Sequence, residues 1–284
     1  MYSIDVNQLS NRISSRISRF LDPNLVLQIW EIGSRDGEDA KLLSETFLQS
    51  KIFAFEPNPD TFHKVQKISD SSKGRIAAQN IALSDIDGNV KFYKIDTDAT
   101  LTSWDDGNPG ASSLYKANGE YPIEKYVQIE ISVKSRTAKS LIEQDRYIVP
   151  NLLWIDVQGA EGLVFRGFGE YLSDVDFIFV ELSLRPAYTG QFLAKEIIDF
   201  LGKNFYWHSN LTTGTWQFDA LLINKRYMSL DLKIRHFFLV LSLKSNFGIF
   251  IKGGLFRLII KYVLQKILTK RLMERIKIWY RTHS

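Results

Sequence analysis

LVLQIWEIGSRDG (residues 25–37) combines an apolar run, an acid and two glycines, and this stretch determines the fold class. An apolar run of this length that ends at a glycine predicts a strand buried on both faces of a sheet. Gly33 allows a turn with positive φ, and Asp36 can cap the helix that follows. Because a helix start presents unpaired N–H groups, strand, glycine turn and helix together predict a cradle for a small molecule.

The chain of 284 residues can bury one large core, or one core with an appendage. It contains no cysteine, which excludes disulfides, thiolate zinc sites and a cysteine nucleophile. The first 20 residues hold no continuous apolar core of signal-peptide length, so we expect no secretion and a cytoplasmic protein.

Charge divides the chain into an acidic body and a basic tail. Residues 227–284 hold 12 Lys/Arg and 2 Asp/Glu, whereas the residues before them hold 24 and 30. Residues 1–24 place apolar side chains at helical spacing before Pro23. We therefore expect an amphipathic helix at 1–24, a domain at 25–226 and a basic amphipathic helical tail at 227–284.

The body alternates apolar runs of strand length with segments of helical spacing. The predicted strands after the opening one are 52–56, 75–83, 90–95, 127–134, 152–157, 177–181 and a closing hairpin of 205–208 with 216–224. We expect 90–95 to form a hairpin with 75–83, a helix capped by Asn58, a long loop at 96–126 and a helix at 191–204. This pattern predicts an α/β fold: a mostly parallel seven-stranded sheet with an antiparallel edge hairpin and helices on both faces.

Acids follow several of the predicted strands, where open α/β sheets bind their ligands. These are Glu31, Glu56, Asp156 and Glu181. A dinucleotide requires G-x-G-x-x-G, but this chain reads E-x-G-x-x-x-G, with Arg35 at the position of the pyrophosphate glycine. S-adenosylmethionine has a ribose, no pyrophosphate and a cationic sulfonium, so an acidic edge favours it as the cofactor.

Seven segments between residues 25 and 224 carry a resemblance to a known family. They are IWEIGSRDG, FAFEPNPDTF, NIALSDIDGNVKFY, GASSLY, LLWIDVQGAEGLVFRGF, FVELSLRPAYTGQ and QFDALLIN. In this order they resemble the FkbM-type methyltransferases, which are S-adenosylmethionine-dependent enzymes of the Rossmann-like class I. The resemblance implies methyl transfer, usually to a hydroxyl oxygen of a glycan, a lipid-linked sugar or a secondary metabolite.

The resemblance also implies roles for individual residues. The cofactor-binding residues that it implies are Glu31, Gly33, Ser34, Gly37, Glu56, Asn58, Asn80 and Ala82. Of these, Glu31, Gly33 and Gly37 would line the methionine end, Glu56 the ribose, and residues 80–83 the adenine. Two positions depart from the family: residues 136–138 read RTA instead of Thr-Leu-Asp, and Gln158 stands where Glu is commoner.

Three residues are candidates for catalysis: Asp156, Glu181 and His208. Asp156 is a general base, a metal ligand or a helix cap, and Glu181 has a functional or a structural role. A histidine has a suitable pKa for a base, although the sequence favours a surface or hydrogen-bonded structural role for His208. We predict no metal site.

The basic tail has three interpretations. Residues 232–284 place bulky apolar side chains beside lysines and arginines, which favours peripheral contact with the inner face of a membrane. Docking to a partner or to the chain's own domain is the second interpretation. Nucleic-acid binding is the third, and the absence of an Asn-Pro-Pro-Tyr-type motif speaks against it. There are two alternatives to an O-methyltransferase acting on a small-molecule or glycan acceptor. One is a methyltransferase-like binding or scaffold protein, and the other is a dehydrogenase or nucleotide-sugar enzyme on a related fold.

Overall fold

The computed structural model describes residues 27–210 and 215–227, with single positions at 229, 230, 233, 236 and 240. The helix expected at 1–24 lies outside the described residues, as does almost all of the tail after residue 227. Within the described part, no helix has the length and the apolar character that a membrane crossing requires.

Ten strands and five α-helices make up the described domain. The strands are β1 (Gln28–Ile32), β2 (Lys51–Phe55), β3 (Ile76–Gln79), β4 (Ala82–Leu83), β5 (Gly88–Ile95), β6 (Gln128–Arg136), β7 (Leu152–Ile155), β8 (Phe177–Ser183), β9 (Phe205–Asn210) and β10 (Gln217–Asn224). The helices are α1 (Glu38–Thr46), α2 (Pro59–Ser71), α3 (Ala138–Glu143), α4 (Glu161–Phe168) and α5 (Ala194–Leu201).

The main sheet has seven strands in the order β3-β2-β1-β7-β8-β10-β9. The first five strands are parallel, and β10 and β9 add an antiparallel edge. The expected fold class is therefore confirmed. Strand order reverses between β1 and β7, and a crevice opens at such a switch point, beyond the carboxyl ends of the strands.

Trp30 on β1 is the centre of the core. It is fully buried, and the rings of Phe55, Phe168 and Tyr147 lie 5.3, 5.5 and 5.8 Å from it. These rings belong to β2, the end of α4 and the loop before β7, so one side chain joins three parts of the chain. This packing fixes β1, and β1 fixes the position of the turn that follows it.

A second, three-stranded sheet has the order β4-β6-β5. Two expectations are wrong here. The strand expected at 75–83 is interrupted: β3 joins the main sheet and β4 pairs with β6. The segment expected at 90–95 is a strand, but it pairs antiparallel with β6 rather than with 75–83. The cause is tertiary, since Ala82, Phe92 and Val133 form one apolar cluster that these pairings bring together.

Two helix boundaries also differ from expectation. Helix α1 begins after Gly37, which has φ 83° and is the N-cap residue in place of Asp36. Helix α5 is shorter than 191–204, because the Leu193 N–H bonds to the Glu196 carboxylate and fixes the helix start there. The Asn58 cap of α2 is confirmed, with its side chain accepting from the Asp60 N–H at 3.1 Å.

Candidate active site

A cavity lies at the switch point of the main sheet. Gly33, Glu56 and Asp156, which follow β1, β2 and β7, form its polar part. Ile81, Ala82, Leu83, Phe92 and Leu114 form its apolar part, which comes from the second sheet and its loop. The cavity therefore has one acidic wall and one apolar wall, a combination typical of small-molecule sites.

Gly33 and Asp156 approach each other closely at the bottom of this cavity. Gly33 has φ 88°, and a Cβ atom at this position would collide with the carbonyl oxygen of Asp156. The Asp156 N–H donates to the carbonyl oxygen of Ile32 at 3.0 Å and continues the pairing of β1 with β7. Only glycine can therefore occupy position 33, because both the backbone angle and the contact exclude a side chain.

Glu56 joins the turn after β1 to the turn after β2. Its two carboxylate oxygens accept the backbone N–H groups of Arg35 and Asn58, each at 2.7 Å. A carboxylate has about four lone-pair sites, so acceptor capacity remains on the cavity side. Sequence spacing predicted that Glu56 faces a ligand; the structure adds that the same side chain organises both turns.

Four other expected cofactor residues lie outside the lining of the cavity. Glu31 is buried and accepts the Ser34 hydroxyl at 2.6 Å. Asn80 donates its side-chain amide to the carbonyl oxygen of Glu56 at 2.8 Å. Gly37 faces helix α2, where a Cβ would lie 3.2 Å from the Cα of Val65. None of these four residues lines the cavity itself.

Gln158 connects two of the catalytic candidates. Its amide nitrogen donates to Asp156 at 2.6 Å and to Glu181 at 3.3 Å, and its amide oxygen lies 3.1 Å from the hydroxyl of Tyr188. The residue has φ 53°, a left-handed conformation that is strained for a side chain of this kind. The sequence marked Gln158 only as a departure from the family, because nothing local indicates a bridging role.

His208 lies apart from the other two catalytic candidates. It is on the edge strand β9, at a bulge opposite Leu221 and Leu222, and its Nδ1 lies 3.0 Å from the Ser209 hydroxyl. One strand, β10, lies between His208 on β9 and Glu181 on β8, and His208 does not line the cavity. Asp219 is directly opposite Glu181 on β10, and sequence analysis did not identify it.

The loop at 96–126 covers the cavity. The Ser113 hydroxyl donates to the carbonyl oxygen of Gln158 at 2.8 Å, and the Tyr188 hydroxyl donates to that of Ala111 at 2.9 Å. At the turn after β1, the Arg35 guanidinium pairs with Asp106 and lies 5.1 Å from the centre of the Trp104 ring. The expected long loop is therefore an ordered cover that is attached at both β1 and β7.

The carboxyl groups around the cavity have unusual acidities. Burial raises the pKa of Glu31 well above its ordinary value, and it raises the pKa of Glu56 and Glu161 to about 7. Burial, and then the charge of Asp156, raise the pKa of Asp39 to about 6. Burial raises the pKa of Glu181 too, and the charge of Asp156 adds to the effect. Burial therefore disfavours the charged forms of these acids, and the charges of neighbouring carboxylates add to the effect.

These residues fit S-adenosylmethionine. Among the described residues, Arg35 is the one basic side chain that lines the cavity, and it pairs with Asp106 outside the acidic wall. A cationic sulfonium and ammonium would relieve the repulsion between the acids. Glu56 can accept ribose hydroxyls, and the apolar wall suits a purine ring.

Comparison with known proteins agrees with this geometry. The family described as the Methyltransferase FkbM domain matches residues 31–208. The 2-O-methyltransferase NoeI of Sinorhizobium fredii is 28% identical over 61% of this chain and 70% of its own length. The hexuronic acid methyltransferase AglP of Haloferax volcanii is 29% identical over 54% of this chain and 55% of its own length, so the match spans about half of that relative.

The similarity to solved structures is weaker. TrmK of M. capricolum, solved with S-adenosyl-homocysteine, has a TM-score of 0.41 and 11% identity over 79% of this chain and 69% of its own. A likeness at this level adds nothing to the assignment, which rests on the family match and on the sheet order described above. The chain belongs to the FkbM methyltransferase domain family, and it is an S-adenosylmethionine-dependent methyltransferase.

Proposed function

We propose that this protein transfers a methyl group from S-adenosylmethionine to a hydroxyl oxygen of a sugar. The observation that carries the proposal is the acidic wall of Glu56 and Asp156 at the switch point, with Glu181 connected to Asp156 through Gln158, since these acids suit a cation and offer a proton acceptor. The names of NoeI and AglP, a 2-O-methyltransferase and a hexuronic acid methyltransferase, support a sugar as the acceptor.

Three groups of residues would hold the cofactor. Glu56 would accept the ribose hydroxyls, the backbone turn at Gly33 and the carboxylate of Asp156 would face the methionine end, and the wall around Phe92 would hold the adenine. The bound cofactor supplies a methyl group on a positively charged sulfur, which is a good leaving group. The cover formed by residues 96–126 would exclude water from this reaction.

Asp156 and Glu181 would share the role of proton acceptor. Gln158 bridges the two carboxylates. Desolvation raises the pKa of both, and the charge of Asp156 raises the pKa of Glu181 further. A raised pKa brings a carboxylate nearer to the operating pH, where a general base is most effective. The pair would accept the proton of the acceptor hydroxyl as the new carbon–oxygen bond forms and the sulfur–carbon bond breaks.

Isothermal titration with S-adenosylmethionine tests the cofactor assignment. Wild-type protein should bind, and Glu56→Gln should bind roughly tenfold to a hundredfold more weakly, because a hydrogen bond to a charged group is lost. Glu45→Gln, which changes an exposed acid of α1, serves as the matched control. Glutamine can satisfy only one of the two backbone donors at Glu56, so thermal melting must show that the variant is folded. Absent binding by wild type, or equal binding by a folded Glu56→Gln, contradicts the assignment.

We propose further that the tail at 232–284 contacts the inner face of a membrane. The support is its sequence alone, since its basic and apolar residues alternate at helical spacing and almost all of them lie outside the described part. Flotation with anionic liposomes should carry the full chain upward. A full-length variant with glutamine at Lys261, Lys266, Lys270 and Arg271 should float less, and equal flotation of both proteins would remove the proposal.

A further inference from the structure

Four aromatic residues form a ladder that runs from the acidic wall to the protein surface. The Tyr188 ring stacks on Tyr126 at 6.2 Å, Tyr126 stacks on Tyr121 at 5.9 Å, and Tyr121 meets Trp216 edge-on at 5.6 Å. Tyr188 is 3% exposed, whereas Tyr121 and Trp216 are half-buried. We call these four residues the aromatic ladder.

The inner end of the aromatic ladder is connected to the proposed proton acceptors through Gln158. The Tyr188 hydroxyl lies 3.1 Å from the Gln158 amide oxygen, and Gln158 itself bonds to Asp156 and Glu181. The charge of Glu181 also reaches the outer end, because burial, Glu124 and then Glu181 raise the pKa of Tyr121. The aromatic ladder therefore extends from the neighbourhood of the proposed proton acceptors to the protein surface.

Polar side chains surround the half-buried rings of Tyr121 and Trp216. Gln217 donates to Glu181 at 2.7 Å, and the Arg185 guanidinium lies 5.5 Å from the centre of the Trp216 ring. Arg185 is exposed, and within the part of the chain that the structure describes it makes no ion pair. The backbone holds this arrangement in place, since the Leu184 N–H donates to the carbonyl oxygen of Trp216 at 2.7 Å.

Aromatic rings mixed with amide, carboxylate and guanidinium groups match the surface of a pyranose. One face of a pyranose presents C–H bonds, which pack on the negative face of an aromatic ring, and its edge presents hydroxyls. A lipid chain would offer no partner to the Arg185 guanidinium, and burying such a charged group unpaired is unfavourable. The nearly perpendicular rings of Tyr121 and Trp216 form a corner that combines aromatic faces with the polar side chains beside them.

We propose that Tyr121 and Trp216 form the acceptor subsite, where a pyranose ring stacks with one hydroxyl directed toward Glu181 and Asp156. This proposal rests on the proposed function and locates its acceptor. Arg185 at the same corner would bind an anionic substituent of the sugar, and the residues that line the cofactor cavity take no part in sugar stacking.

Saturation-transfer NMR with methyl glycosides tests the subsite without requiring turnover. The probes are the methyl glycosides of glucose, galactose, mannose, fucose and glucuronic acid, each with and without S-adenosylhomocysteine. Wild-type protein should transfer saturation to the ring protons of at least one probe. Trp216→Ala and Tyr121→Ala should reduce that signal on the order of fivefold, because a stacking partner is lost. Trp216→Phe, which keeps a ring, should retain most of the signal.

Phe200→Ala is the matched control, since it removes an aromatic ring that is 51% exposed on α5. S-adenosylhomocysteine binding, measured separately by calorimetry, should be unchanged in all variants. Two outcomes would overturn the subsite: no sugar signal in wild type, or an unchanged signal in both alanine variants. If cofactor binding is intact in either case, the cofactor assignment remains valid. Loss of cofactor binding by wild type would instead contradict the proposed function, and the sugar signal would still report on the subsite.

Discussion

At the scale of single residues, Gln158 determines how Asp156 and Glu181 share charge. Its amide donates to both carboxylates and thereby favours their ionised forms. Gln158→Glu replaces the donor with a third carboxylate of nearly equal size. The acid limb of the pH–rate profile for methyl transfer should then move upward by roughly one unit or more, because adjacent like charges raise one another's pKa.

The left-handed backbone conformation at position 158 does not affect the comparison of Gln158→Glu with wild type. Gln158 has φ 53°, and glutamate pays the same conformational strain there as glutamine does. Gln49→Glu, on an exposed surface position, adds the same charge away from the site and should leave the profile unchanged. An unshifted acid limb in Gln158→Glu, with S-adenosylmethionine bound as in wild type, would show that the bridge does not set the acidity of the pair.

At the scale of elements, local sequence predicted the main sheet but not the second one. Strands β1 and β7 are apolar runs ended by glycine or acid, so their burial and the position of the ligand edge follow from pattern. The apolar run that contains β3 and β4 is also nearly continuous, yet it divides between two sheets. Pairing of β4 with β6 joins segments about 50 residues apart, and no local pattern encodes a contact of that range.

The candidate site divides in the same way. Gly33 and Glu56 were predictable, because a glycine turn and an acid at fixed spacing are local signals. Phe92 in the apolar wall and Tyr121 in the aromatic ladder were not, since each reaches the site through a second sheet or a long loop whose path depends on tertiary contacts. Sequence thus predicts the cofactor side of the site better than the acceptor side.

At the scale of the whole molecule, the acidic wall makes stability depend on pH. The pKa of Glu56 and Glu161 is about 7 in the folded protein, against an ordinary value of 4.5, and that of Asp39 is about 6 against 3.8. Between pH 4.5 and 7 the folded state therefore binds more protons than the unfolded state. Stability consequently falls as pH rises through this window. Below it, carboxyls with lowered pKa, such as Asp87 and Asp106, begin to lose their stabilising contacts.

The protein without cofactor should accordingly melt at a temperature on the order of 5 °C lower at pH 8 than at pH 5.5. Differential scanning calorimetry measures this difference, and a double variant with Glu56→Gln and Glu161→Gln should show a smaller one. A melting temperature at pH 8 that equals or exceeds the one at pH 5.5 would mean that folding does not raise the pKa of these acids.

The cofactor should reverse this loss of stability, because the acids that repel one another at pH 8 are those that attract a cation. S-adenosylmethionine should therefore raise the melting temperature more at pH 8 than at pH 5.5, where the wall is partly protonated and binds the cation less well. S-adenosylhomocysteine lacks the sulfonium charge and keeps the ammonium group, so its effect should depend less on pH. If the two ligands showed the same pH dependence, the acidic wall would be stabilising the ammonium rather than the sulfonium, and Asp156 could not be assigned to the reactive end of the cofactor.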